Sequence, residues 1–366
     1  MLRYNHDTLV YEERGRNYPR VDLDFFNTVL PSFRRLQELS LDQFLVNLPP
    51  PNDPLITALT PIRLQRLILR PHMCPVLDII TLLSRFVVDR VDIGSCMYTS
   101  APFDPKTLPR RLHIKHFSLS HSNVPNSILL DSPYDNFGKL YDAFGGSLDP
   151  RTLRSVVMPK TEFGPAGAFI RDCGRNLTQL DLDLRLGPYL EPSHVDSGSP
   201  FSLSILRTSV LTRATTDYWA KTLNLQNCAN LESLAIAIAL PEDRTEEPNN
   251  LGAACAALLS TIPPAHFREL TLRIRDVRGA TQIRSTKVLG LRTLDGALAD
   301  GFPALRQVVV QLVYEAQRGT APYALECELA VVKAMPRIRA AGALQIVSWS
   351  PVSNVQWNYS GLRGYY

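Results

Sequence analysis

The sequence predicts an α/β fold: an irregular solenoid of stacked repeats, with a parallel sheet on the concave face and helices and loops on the convex face. Three observations carry this expectation. The hexad L-x-x-L-x-L occurs intact at residues 36–41, 64–69 and 177–182. Apolar variants of it recur along the chain. In the last third, helix-forming stretches alternate with strand-forming ones.

The variants are Val88, Val91, Ile93; Ile114, Phe117, Leu119; Leu153, Val156, Met158; Leu231, Leu234, Ile236; Phe267, Leu270, Leu272; and Leu305, Val308, Val310. Successive starts lie 28, 24, 26, 39, 24, 54, 36 and 38 residues apart. The short steps match leucine-rich repeats of about 20–29 residues. The long ones need loops or longer helices, and the step of 54 is expected to hide a further strand ending at Leu223-x-Leu225. The fourth and sixth positions share one face of a strand, and the first turns inward just before it. No unit buries that apolar face alone, so neighbours must stack. Cys228 and Cys96 stand where the cysteine-containing class of repeat has its cysteine. Phe44, His72, Arg185 and Arg275 stand where asparagine or cysteine is usual, so the regular ladder is expected to be broken.

The elements follow in order. Residues 1–30 are expected to form a degenerate N-terminal cap, and 31–348 the repeat domain. Residues 49–54 read as a proline-stiffened loop. Gly145-Gly146 and Gly164-Pro165-Ala166-Gly167 read as turns. Polar loops are expected at 191–200 and 241–250. Helices are expected at 251–260, 291–299 and 325–335, the last stopped by Pro336, each followed by a strand at 267–274, 305–313 and 343–348. Residues 349–366 form an aromatic tail with Trp357, Tyr359, Tyr365 and Tyr366.

The C-terminal part resembles a known family. The residues are Leu294-Asp295-Gly296-Ala297-Leu298, Phe302-Pro303-Ala304-Leu305-Arg306-Gln307-Val308, and Met335-Pro336-Arg337-Ile338 through Gly342-Ala343-Leu344-Gln345-Ile346. They look like the end of F-box and leucine-rich-repeat proteins of mushroom-forming fungi, with a helix, "F-P-x-L-x-x-V", then "P-x-L-x-x-x-G-x-L-x-V". About 80 residues carry the likeness closely, and 30–300 carry it by repeat pattern. The resemblance implies a substrate-recognition scaffold, joined in that family to an F-box that docks on a Skp-type adaptor of a ubiquitin ligase. Leu48-Pro49-Pro50 matches the F-box start only superficially, no V-C-x-x-W follows, and the first tryptophan is Trp219. The F-box is therefore expected to be absent.

Composition narrows the function. Thirty-nine basic and 35 acidic side chains give a charge of only +4, too balanced to indicate nucleic acid or a membrane surface as the partner. The start has no signal-peptide pattern, and no apolar run reaches membrane length. Six cysteines without C-x-x-C are expected to be reduced, in an intracellular protein of cytoplasm or nucleus. Phosphate-binding glycine motifs and the nucleophile elbow are missing, and His113 and His116 fall on opposite strand faces, so no cofactor or metal is expected.

The outward strand positions are the candidate binding residues: Glu38, Asp42, Arg66, Arg70, Arg90, Asp92, His116, Gln179, Asp181, Asp183, Glu269, Arg273 and Gln307. Arg66, Arg70 and Arg90 are expected to form a basic spot, while Asp181, Asp183 and Arg273 are expected on the solvated sheet face. The leading expectation is a non-enzymatic scaffold that binds a protein through the concave sheet. The alternatives are a ubiquitin-ligase substrate receptor with a divergent adaptor-binding N-terminus, and an enzyme on an unrecognised α/β fold.

Overall fold

The computed structural model describes residues 2–5, 8–11, 20–33, 35–58, 60–71, 74–94, 108, 110–120, 137–158, 163–184, 213–240, 251–314 and 321–349. The expectations for Cys96, His72, Arg185, the loops 191–200 and 241–250, and the tail from 350 lie outside these residues. The chain divides into two compact units, residues 1–179 and 180–355.

The first unit begins with an antiparallel hairpin, β1 (Leu2–Asn5) and β2 (Thr8–Tyr11). Strand β3 (Arg20–Val21) follows, then β4 (Glu38–Asp42), β5 (Leu45–Val46) and helix α1 (Pro54–Ala58). Next come β6 (Ile62–Arg70), α2 (Val76–Leu83), β7 (Phe86–Gly94), β8 (Ile114–Ser120), α3 (Phe137–Ser147), β9 (Ser155–Met158) and α4 (Phe163–Cys173). Strands β2, β4, β6, β7, β8 and β9 pair in parallel in that order. β3 and β5 form a separate ladder.

The second unit holds β10 (Gln179–Asp183, from Leu180 on), α5 (Arg213–Leu223), β11 (Ser233–Ala239), α6 (Leu251–Leu259), β12 (Glu269–Val277), α7 (Ala280–Arg284) and α8 (Leu291–Gly301). It closes with β13 (Gln307–Tyr314), α9 (Ala321–Ala334), α10 (Pro336–Ala340) and β14 (Leu344–Trp349). Strands β11 to β14 are parallel and in chain order. Each unit is thus an α/β layer structure whose neighbouring repeats are neighbours in space.

Every hexad places its strand. The fourth and sixth positions, from Leu39 and Leu41 to Val308 and Val310, are no more than 2% exposed. The two residues between the first and fourth positions have a distinct task. The amides of Gln65 and Arg66 both donate to the Gln37 carbonyl, at 2.8 and 3.1 Å. Thr178 and Gln179 do the same to Arg154 O, Arg268 and Glu269 to Glu232 O, and Arg306 and Gln307 to Arg268 O. In each case the acceptor is the second residue of the preceding hexad. One carbonyl has two lone pairs, so it serves two successive donors while the chain turns onto the strand.

Several expectations are corrected. Leu223 and Leu225 do not end a strand: α5 runs to Leu223, and Leu225–Asn227 is a helical turn started by Asn224. Gly145 and Gly146 lie inside α3, whose Tyr141 and Phe144 bury an aromatic face against Phe117 and Phe169. Packing outweighs the helix cost of two glycines. Gly164 to Gly167 form the first turn of α4 rather than a loop. Pro165 is tolerated there because first-turn amides have no partner within the helix. Pro54 likewise opens α1, shortening the loop, and Pro336 opens α10 after α9 ends at Ala334. Leu305 is only half-buried, and Phe302, against Phe267 at 4.8 Å, fills that place in the core.

Two helix contacts in the second unit are specific. Asp295 on α8 is 1% exposed and accepts from the amides of Arg337 and Ile338, so it caps α10. Gly252 on α6 donates its amide to Leu289 O at 2.6 Å, and a Cβ there would stand 2.4 Å from Gly290 O. Gly252→Ala is therefore expected to destabilise by about 2 kcal/mol, because backbone must move. Gly296→Ala in α8, where the nearest atom would be 3.9 Å away, is expected to stabilise by about 0.5–1 kcal/mol. Urea denaturation of both variants checks the opposite signs.

Candidate functional site

The polar face of each sheet is built by strand alternation. In the first unit, register sets Glu38, Arg66, Arg90 and His116 side by side, one from each of β4, β6, β7 and β8. The next row holds Ser40, Ile68, Asp92 and Ser118. Asp42 and Arg70 pair beyond it.

The expected basic spot is not bare. Arg66 Nε donates to Asp92 Oδ2 at 2.8 Å, and Arg90 Nε reaches both Asp92 oxygens at 3.3 and 3.2 Å. Arg66 Nη1 is 3.8 Å from Glu38 Oε1, and Arg70 Nη1 is 4.0 Å from Asp42 Oδ2. Three acids thus offset three arginines across adjacent strands. The side chain of Asp92 is 11% exposed, against about a third for each partner arginine. A shielded acid held by two half-buried cations is the centre of the network. The signal was present in Arg90-Val91-Asp92, since residues two apart share a strand face, but the reach from Arg66 depends on inter-strand register.

In the second unit, Asp181 and Arg273 are brought together and Asp183 is buried beside them. Arg273 Nη1 donates to both Asp181 oxygens at 2.8 and 2.9 Å, and its Nε donates to Gln311 Oε1 at 3.2 Å. Arg273 is paired in register with Ala237 of β11, and Leu184 at the end of β10 donates to Ala237 O. The guanidinium therefore crosses the alanine strand to reach Asp181. This overturns the solvated placement of these residues: Arg273 is 6% exposed and Asp183 only 2%. Ala235, Ala237 and Ala239 leave the room; a larger side chain would fill it. Burial pushes the Asp181 carboxyl above its usual range, against the lowering pull of Arg273. Glu269 and Gln307 are register neighbours, and Gln307 Nε2 donates to Gln345 Oε1 at 2.7 Å. Gln345 was not among the expected site residues. Gln179 is half-buried at the start of β10.

A separate pocket of about 330 Å3 is lined by Arg20 of β3, Asn47 after β5, and Cys74 and Asp78 around the start of α2, among others. Burial raises the Asp78 carboxyl. Cys74, Cys173, Cys228, Cys255 and Cys327 are buried free thiols, and burial pushes Cys173, Cys228 and Cys255 to about 12. No helix of the described residues is long and apolar enough to cross a membrane. No protein-family model matches this chain, and no curated protein matches it.

Two outcomes are expected. Asp181→Ala strands Arg273 in the sheet and costs about 3–5 kcal/mol, whereas Asp181→Leu with Arg273→Met recovers most of that loss in urea titrations. His116 supplies a pH dependence. Partial burial and then Arg90, helped by Lys115 and opposed by Asp89 and Asp92, hold its imidazole below the usual range. The unfolded chain therefore binds the proton first as pH falls. Stability is full above the ordinary histidine value and is lost as pH drops from there through the lowered value of the folded state. His116→Gln is expected to flatten the fall in unfolding midpoint between about pH 7.5 and 5.5.

Proposed function

We propose that this chain is a non-enzymatic interaction protein of leucine-rich-repeat type, related to the fungal F-box and leucine-rich-repeat proteins, which recognises a protein partner through the concave polar face of its sheet. The observation that supports this reading most is the in-register row Glu38, Arg66, Arg90 and His116. A partner segment laid across parallel strands meets one side chain per strand, and the spacing is set by the sheet rather than by loops. An acid at one end and two adjacent cations beside it then select register and orientation.

The substrate-receptor alternative needs an adaptor-binding surface near the N-terminus. Among the described residues before position 33, the hairpin joins the sheet through β2, and Phe25, Phe26 and Leu30 are buried. Neither observation favours that alternative over the scaffold reading.

Capture from a fungal extract tests the proposal. The parent chain is expected to retain a specific partner that the folded variant Glu38→Ala, Arg66→Ala, Arg90→Ala, His116→Ala loses. Equal capture by both chains removes the polar face from consideration. Recovery of a Skp-type adaptor with the parent would favour the ligase reading.

A further inference from the structure

We propose that Arg66 and Arg90 form a preorganised clamp for a carboxylate on an acidic segment of the partner, with Asp92 as its positioning residue. This rests on the reading of the polar face as a recognition surface and names the group that the surface grips.

The argument begins with how each guanidinium is held. Asp92 takes the Nε of Arg66 at 2.8 Å and the Nε of Arg90 at 3.2 Å. An arginine anchored through Nε has both terminal nitrogens left to donate. Neither Nη of Arg90 has a partner among the described residues, and Arg66 has only the 3.8 Å approach of Nη1 to Glu38. Arg66 and Arg90 are also direct register neighbours on β6 and β7. Two planar forks thus stand on adjacent strands, both held by one shielded acid in the next row.

Charge alone does not make this arrangement. Two arginines with one acid between them carry one net positive charge, reduced further by Glu38. What distinguishes the site is that the rotamer cost of ordering two long side chains has already been met within the fold. Arginine forks suit carboxylate geometry, and lysine does not reproduce it. His116 extends the row next to Arg90, and its remaining charged neighbours are Asp89, Asp92 and Lys115. The rim on the other side is Glu38, which would turn away a carboxylate placed over β4 and so set where the acidic group lies.

Asp92→Asn separates positioning from charge. It adds one unit of positive charge to the face, so simple attraction predicts tighter binding of an anionic peptide. The clamp predicts weaker binding, because the amide keeps one neutral acceptor oxygen and loses the charge-assisted hold on both guanidinium groups. The probe is a fluorescent hexaglutamate peptide, with hexaglutamine as the neutral control, followed by anisotropy on the full chain. Hexaglutamate is expected to bind and hexaglutamine not. Arg66→Lys and Arg90→Lys, made singly, keep the charge and are each expected to weaken binding about tenfold. Asp92→Asn is expected to weaken it about fivefold. Urea midpoints confirm that each variant is folded, and the two lysine variants keep the test decisive if Asp92→Asn is not.

Unchanged or tighter binding by Asp92→Asn overturns the clamp, as does full binding by both lysine variants. A phosphoserine peptide that binds where hexaglutamate does not overturns the carboxylate assignment. The two proposals fail separately. If the extract partner is lost with the quadruple alanine variant but retained by Arg66→Lys with Arg90→Lys, the clamp falls and the recognition surface stands. If the partner is retained by every variant, both fall.

Discussion

The structure depends on a shared hydrogen bond at the start of four strands, β6, β10, β12 and β13. A single carbonyl, the second residue of one hexad, holds two successive amides of the next. This arrangement needs two residues between the inward first position and the strand proper, which is why the spacing is L-x-x-L and not simple alternation. It also fixes phase. Once the two amides are held, the fourth and sixth side chains turn to the buried face and the third and fifth to the polar face. The buried leucines, the lateral rows of charge and the helix layer all follow from that phase.

The fold was legible where sequence period and local chemistry agreed. Each hexad marked a strand, and the alanine-rich stretch before β12 marked α6, because these segments bury a regular face. It was not legible at Gly145-Gly146, at Gly164 to Gly167 or at Leu223-x-Leu225. There glycine, proline and leucine carried local signals that packing overrode. Phe117, Phe144 and Phe169 stabilise helices that propensity would not favour. Leu223 is as apolar as a strand residue, and the asparagine after it starts a helical turn instead.

The polar face was legible as a set of positions but not as a set of partners. Strand alternation placed Arg66, Arg90 and Asp92 outward. It could not show that Asp92 lies between two arginines, because that needs the register of β6 on β7. Nor could it show that Arg273 spans a strand to reach Asp181, a partner 92 residues away in the chain. A pattern of outward charges reads as solvated until neighbours are known. Here burial and pairing convert some of those charges into internal struts and leave others with donors facing out.

The alanines of β11 have a consequence of their own. Arg273 reaches Asp181 only because Ala237 is small. An uncharged side chain therefore sets the electrostatic character of this part of the face. Exchange of that methyl group for a branched side chain would lift the guanidinium off the strand and expose a carboxylate and a cation together. On this surface, steric volume acts as a regulator of polarity, so a substitution that looks conservative by hydrophobicity rewrites what an approaching molecule would sense.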